Sequence, residues 1–125
     1  MKILLVEDNP LNQKVVAFYV KKFNYEIVCV ENWREVMVEL KKERPDLILM
    51  DIMLPEKNGY EITAEIREIE RRSENNNEIP IIALTANTLD NDEKKCLEAG
   101  MNGYLSKPFS PEDLNAVIIR FAGKE

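Results

Sequence analysis

Apolar residues follow two rhythms along the chain. Five short runs (Ile3 to Val6, Ile27 to Val30, Leu47 to Met50, Ile81 to Leu84, and Tyr104 with Leu105) are separated by stretches in which apolar positions recur every three or four residues. The first, third and fourth runs are almost unbroken in Leu, Ile, Val and Met. A strand with one wet face alternates apolar and polar residues. Unbroken runs therefore predict strands of a parallel sheet covered on both sides.

The intervening stretches carry helix signals. Asn9-Pro10 offers a cap followed by proline at the first helical position, and Val16, Tyr19, Val20 and Phe23 form a stripe behind it. Asn32 predicts the cap of a second helix, with Glu35 in the reciprocal position and Val36 and Leu40 facing inward. Ile62, Ile66 and Ile69 make the third stripe. The fourth helix, about Leu89 to Ala99, is the least amphipathic and stops at Gly100. Ser110-Pro111-Glu112-Asp113 opens the fifth, where Leu114, Val117, Ile118 and Phe121 form a stripe that ends at Gly123. The polar, asparagine-rich stretch from Ser73 to Glu78 predicts an exposed loop.

Strict alternation of strand and helix gives an α/β fold, a doubly wound five-stranded parallel sheet with right-handed crossovers. Ligands of such sheets bind beyond the carboxyl ends of the strands. At those ends stand Glu7 and Asp8 after the first run, Asp51 after the third, Thr85 after the fourth, and Ser106-Lys107-Pro108 after the fifth. Three carboxylates, a hydroxyl and a lysine thus converge on one sheet edge. Three like charges at close range repel, so at least one would stay protonated unless a cation joined them. Mg²⁺ suits that role, because it takes oxygen ligands and commonly binds one or two carboxylates plus a phosphate.

Composition narrows the field. At 125 residues the chain predicts a single domain over 1–125 with no output domain, and it can bury enough surface to fold without a disulfide or metal staple. No apolar run approaches the roughly 20 residues of a membrane span, and no secretory leader is visible. The expected compartment is cytoplasmic, with no membrane partner. Seventeen basic against 23 acidic residues, a net charge of −6, argue against a nucleic-acid surface. The absence of histidine excludes His-based triads, the usual zinc sites and phosphohistidine chemistry within the chain. Cys29 and Cys96 lack metal spacing and are expected to be small buried hydrophobes.

A carboxylate can attack phosphorus and form an acyl phosphate, a reaction that mainly needs positioning and neutralised phosphoryl oxygens. Mg²⁺, Lys107 and Thr85 would each take one of those oxygens. The stretches LLVEDNPLNQKVV, PDLILMDIMLPEKNGYE, IPIIALTAN and AGMNGYLSKPF, in this order, resemble the receiver domains of two-component signalling over essentially the whole chain. The wording is similar to receivers of hybrid histidine kinases and of stand-alone single-domain regulators. The resemblance implies a flavodoxin-like strand order 2-1-3-4-5, with Asp51 as phosphoacceptor and Asp8 as a direct Mg²⁺ ligand. It further implies Glu7 acting on the metal through water, Met53 offering its backbone carbonyl, and Mn²⁺ as a possible substitute. Thr85 and Lys107 would contact the phosphoryl group, and Tyr104 would be the switch aromatic.

The resemblance implies a phosphohistidine donor, either a histidine kinase or a histidine phosphotransfer protein. A downstream protein target would meet the face of the fourth helix, fifth strand and fifth helix. It also implies a cis Lys107–Pro108 bond, and places Met53 and Asn87 over the path of attacking water.

Plainer readings stand beside these. Asp8 is also a natural helix cap, Asp51 a natural solvated strand end, and Tyr104 an ordinary half-buried tyrosine. Gly59 would permit a tight turn into the third helix. Trp33 would pack at the start of the second helix without a function, and Arg71 and Arg72 would be a solvated helix end. A Mg²⁺-dependent phosphatase or phosphotransferase with an aspartyl nucleophile is the competing class. It needs a second acid two residues past the nucleophile, where Met53 stands, so the chain is expected not to be an enzyme beyond acting on itself. A degenerate receiver serving only as a docking module is the third, opposed by intact Asp8, Asp51, Thr85 and Lys107.

Overall fold

A computed structural model describes residues 1–73, 77–86 and 90–123. Ten elements alternate: β1 (Lys2–Val6), α1 (Pro10–Lys22), β2 (Glu26–Val30), α2 (Trp33–Lys42), β3 (Leu47–Asp51), α3 (Gly59–Arg72), β4 (Ile81–Thr85), α4 (Asp90–Ala99), β5 (Gly103–Ser106) and α5 (Pro111–Ala122). All strand pairs are parallel, in the order β2-β1-β3-β4-β5, as expected.

The two faces of the sheet are packed by different helices. On one, Leu4, Val6, Ile48, Met50, Ile81 and Ala83 meet Val36 of α2, Ile62 and Ile66 of α3, and Cys96 of α4. On the other, Ile3, Leu5, Leu47, Leu49, Ile82 and Leu84 meet Val16 and Val20 of α1 and Leu114 and Ile118 of α5. The unbroken apolar runs are therefore β1, β3 and β4, each buried along its whole length. β2 is an edge strand and is buried only at Val30.

Local chemistry sets the helix ends. The Asn9 carboxamide accepts from the N–H groups of Leu11 and Asn12, with Pro10 in the first turn. Asn58–Glu61 and Ser110–Asp113 form reciprocal capping boxes. In α2 the Asn32 side chain accepts from Glu35 N–H, but the Glu35 carboxylate takes the N–H of Glu31 instead of closing the box on Asn32. α4 ends where Gly100 turns to φ +104° and Met101 N–H reaches back to Cys96 O, a left-handed stop that suits glycine.

Three expectations need correction. Cys29 is exposed, because the edge position of β2 leaves its side uncovered, whereas Cys96 is buried as expected. Ile69 stays 47% exposed, since the inward face of α3 beyond Ile66 is occupied by Arg67. Gly59 has no left-handed φ, and what it supplies is room: a Cβ there would lie 2.5 Å from Asp51 O. Within the loop expected from Ser73 to Glu78, residues 74–76 lie outside the described residues, as does Leu89 at the expected start of the fourth helix.

Candidate functional site

The site forms along the sheet edge where β1, β3, β4 and β5 end. Glu7 follows β1 and is only 1% exposed, while Asp8 beside it is open to solvent. Its neighbours hold Glu7 on three sides. Asn9 N–H donates to Oε2 at 3.1 Å, the Gln13 side chain donates to its carbonyl, and Lys107 Nζ lies 3.3 Å from Oε1. Asp51 closes β3 and is buried, and its Oδ1 accepts from Met53 N–H at 3.1 Å. Lys107 Nζ stands 3.9 Å from the same Oδ1. The lysine follows β5, held by its N–H to Thr85 O at 2.7 Å, and the Lys107–Pro108 bond is cis, as expected.

Electrostatically the pocket is short of positive charge. Carboxylate oxygens of Glu7, Asp8 and Asp51 all lie within 4.8 Å of one another. Burial lifts the Asp51 carboxyl from 3.8 to about 6, Lys107 opposes the shift, and Glu7 adds to it by its charge and a hydrogen bond. Two carboxyls sharing a hydrogen bond retain a proton that a cation would displace. One lysine cannot neutralise three acids, and the donors are all hard oxygens. The residues therefore fit a small divalent ion.

The sequence matches the response regulator receiver domain family over residues 3–119. The chain belongs to that family. Among its relatives, Histidine kinase 3 of Arabidopsis thaliana is 36% identical over 96% of the chain, and hybrid signal transduction histidine kinase B of Dictyostelium discoideum is 40% identical over 95%. The chain spans only 13% and 6% of those two proteins. In structure it is similar to the receiver domain of sensor histidine kinase PA1611 from Pseudomonas aeruginosa, solved with a magnesium ion in its active-site cleft. That pair has a TM-score of 0.84, 43% identity and 98% coverage of both chains. It is also similar to the receiver domain of Ssk1 from Saccharomyces cerevisiae, solved in complex with the histidine phosphotransfer protein Ypd1. Here the TM-score is 0.88 and the identity 30%, covering 98% of this chain and 88% of that one. The chain is thus a receiver domain of two-component phosphorelay signalling.

Of the receiver's expected site residues, Glu7, Asp8, Asp51 and Lys107 come together in one pocket. Thr85 ends β4 beside it, buried, in register with Ser106. Met53 is 81% exposed at the mouth, its backbone N–H turned to Asp51. Tyr104 lies apart, exposed on β5, where it lines a cavity of about 260 Å³ with Cys96, Leu97, Val117 and Phe121. Asn87 lies outside the described residues.

Sequence reasoning missed two features. Gln13, on the second turn of α1, braces the Glu7 carbonyl, and no pattern distinguished it from a solvated residue. Asn58 and Glu61 had a signal, the N-x-x-E spacing just past Asp51, and their capping box fixes where the loop after β3 ends. Among the described residues no helix is long and apolar enough to cross a membrane.

Proposed function

We propose that this receiver takes a phosphoryl group from a phosphohistidine donor onto Asp51 and later loses it to water. The observation that carries the reading is Asp51 itself, a buried carboxylate 3.9 Å from Lys107 and clustered with Glu7 and Asp8. A carboxylate oxygen of Asp51 forms the bond to phosphorus while the bond from phosphorus to the donor imidazole nitrogen breaks, its electron pair leaving with the imidazole. Lys107 offsets charge on a phosphoryl oxygen, and the Thr85 hydroxyl donates to another. Met53 N–H keeps the Asp51 carboxyl oriented.

Asp8 and Asp51 would hold Mg²⁺ directly through their carboxylates, Glu7 would act through water, and the Met53 carbonyl would complete the protein's share. When bound, the ion neutralises the acids and the developing phosphoryl charge. Mn²⁺ suits the same oxygen donors. Met53 has no acid or base to offer, which supports self-modification over turnover of an external phosphoester.

Two faces serve partners. On α1, Leu11 and Phe18 are about 70% exposed and Val15 lies between them on the same stripe, next to an apolar groove of about 410 Å³ that runs to Glu7 and Lys107. A donor covering that stripe brings its phosphohistidine to the acids. The downstream target meets α4, β5 and α5, where Leu97, Tyr104 and Ile119 are exposed. Thr85 drawn toward a phosphoryl oxygen makes room that Tyr104 fills, so the second face changes with the first. The test is incubation with beryllofluoride and Mg²⁺, followed by NMR. Shifts should centre on the carboxyl ends of β1, β3 and β5 and spread to Tyr104, whereas shifts scattered without that centre contradict the reading.

A further inference from the structure

We propose that Trp33 is a positioning residue that holds the loop between β3 and α3, and through it the Met53 backbone, against Asp51. The role in metal binding rests on the function proposed above; the role in placing Met53 does not. Trp33 opens α2 and packs on the same core cluster that receives Leu54 from the loop. Lys57 Nζ lies 4.4 Å from the centre of its ring, and Arg34 stands 5.1 Å from it. Both cations are tied onward, Lys57 to Glu65 of α3 at 2.9 Å and Arg34 to Glu56 of the loop at 2.7 Å.

The loop needs such a hold. Glu56 adopts φ +66°, a left-handed conformation that a non-glycine residue keeps only when its surroundings impose it. Between Asp51 and Asn58 the loop's own backbone bonds run to Ile52 O from Leu54 and Gly59, near the loop's base. The stretch around Glu56 and Lys57 is held instead by side chains, Glu56 by Arg34 of α2 and Lys57 by Trp33 of α2 and Glu65 of α3. Met53 lies within that base, between Ile52 and Leu54, and Leu54 is seated in the cluster against which Trp33 packs. The Met53 N–H on Asp51 and its carbonyl therefore depend on how that side of the loop is held.

The experiment compares wild type with Trp33→Ala, Lys57→Met and Trp33→Phe. Three readouts are taken: amide exchange of Met53 in metal-free protein, Mg²⁺ affinity by calorimetry, and the urea midpoint. A cation over an aromatic face near the surface corresponds to about a two- to fivefold change in an equilibrium constant. Lys57→Met, a surface change that leaves the core intact, should speed Met53 exchange and weaken Mg²⁺ by about that factor, with the urea midpoint unmoved. Trp33→Ala should do more, and Trp33→Phe should recover part of the loss. Unchanged Met53 exchange in both Lys57→Met and Trp33→Ala overturns the inference, as does unchanged Mg²⁺ affinity in both. If wild type binds no Mg²⁺ while Met53 exchange still responds, Trp33 positions the loop and the metal reading fails instead.

Discussion

Without metal, the acid pocket works against its own fold, and removing one charge should stabilise the protein. The perturbation is Asp51→Asn, which keeps the side chain's shape and an oxygen for Met53 N–H. Burial is the largest cause of the raised Asp51 carboxyl, Lys107 opposes it and Glu7 adds to it, bringing the group from 3.8 to about 6. In the unfolded chain the same carboxyl titrates near 3.8, so between about pH 4 and 6 the folded protein holds a proton that the unfolded chain has released. Stability from this group is therefore lost as pH rises through that window and stays lost above it. A proton affinity about a hundredfold higher when folded corresponds to at most about 3 kcal/mol. Water reaching the pocket past exposed Asp8 screens the charges, which leaves about 1–2 kcal/mol.

The assay is urea unfolding in chelator at about pH 7.5 and about pH 4.5. At the higher pH the Asn variant should be more stable by that amount, a midpoint shift of about 0.5–1 M. At the lower pH the gap should shrink to less than half, because wild type is by then largely protonated there. An Asn variant no more stable than wild type, or a gap equal at both pH values, refutes the reasoning.

Three further outcomes follow from the packing. Gly59→Ala forces a methyl to within 2.5 Å of Asp51 O and should cost about 1–3 kcal/mol in urea unfolding, with Mg²⁺ binding weakened as β3 shifts. Arg67→Met strips a buried guanidinium from Glu70, Asn102 and Gly100 O, and should lower stability by about 3 kcal/mol while leaving phosphorylation intact. Met53→Glu, at the exposed mouth of the pocket, should speed loss of the phosphoryl group severalfold in a decay assay, because a carboxylate there can orient water.

The site was largely legible because the rule that exposes it is topological. Once β1, β3 and β4 were recognised as buried strands of a parallel sheet that the fifth run extends, Glu7, Asp8, Asp51, Thr85 and Lys107 had to share one edge. What escaped notice depends on neighbours that a pattern does not name. Cys29 looks buried within Ile27 to Val30, and only the place of β2 at the sheet's edge uncovers it. Arg67 looks like a solvated helical residue, yet it lies buried and ties α3 to Gly100 and Asn102, while Asn102 also takes Ile81 N–H. Its partners are 33 and 35 residues away in sequence, so local spacing could not reveal the network. Trp33 packs at the start of α2 as expected, but its two cations come from chemistry that periodicity does not report.

The most direct test of the central claim is phosphotransfer from a radiolabelled phosphohistidine protein, with and without Mg²⁺, to wild type, Asp51→Asn and Lys107→Met. The account predicts Mg²⁺-dependent labelling of wild type, located at Asp51 by mass spectrometry after trapping with hydroxylamine. Labelling should be absent in Asp51→Asn and strongly slowed in Lys107→Met. Full labelling of Asp51→Asn, or transfer to wild type that is indifferent to Mg²⁺, would contradict it.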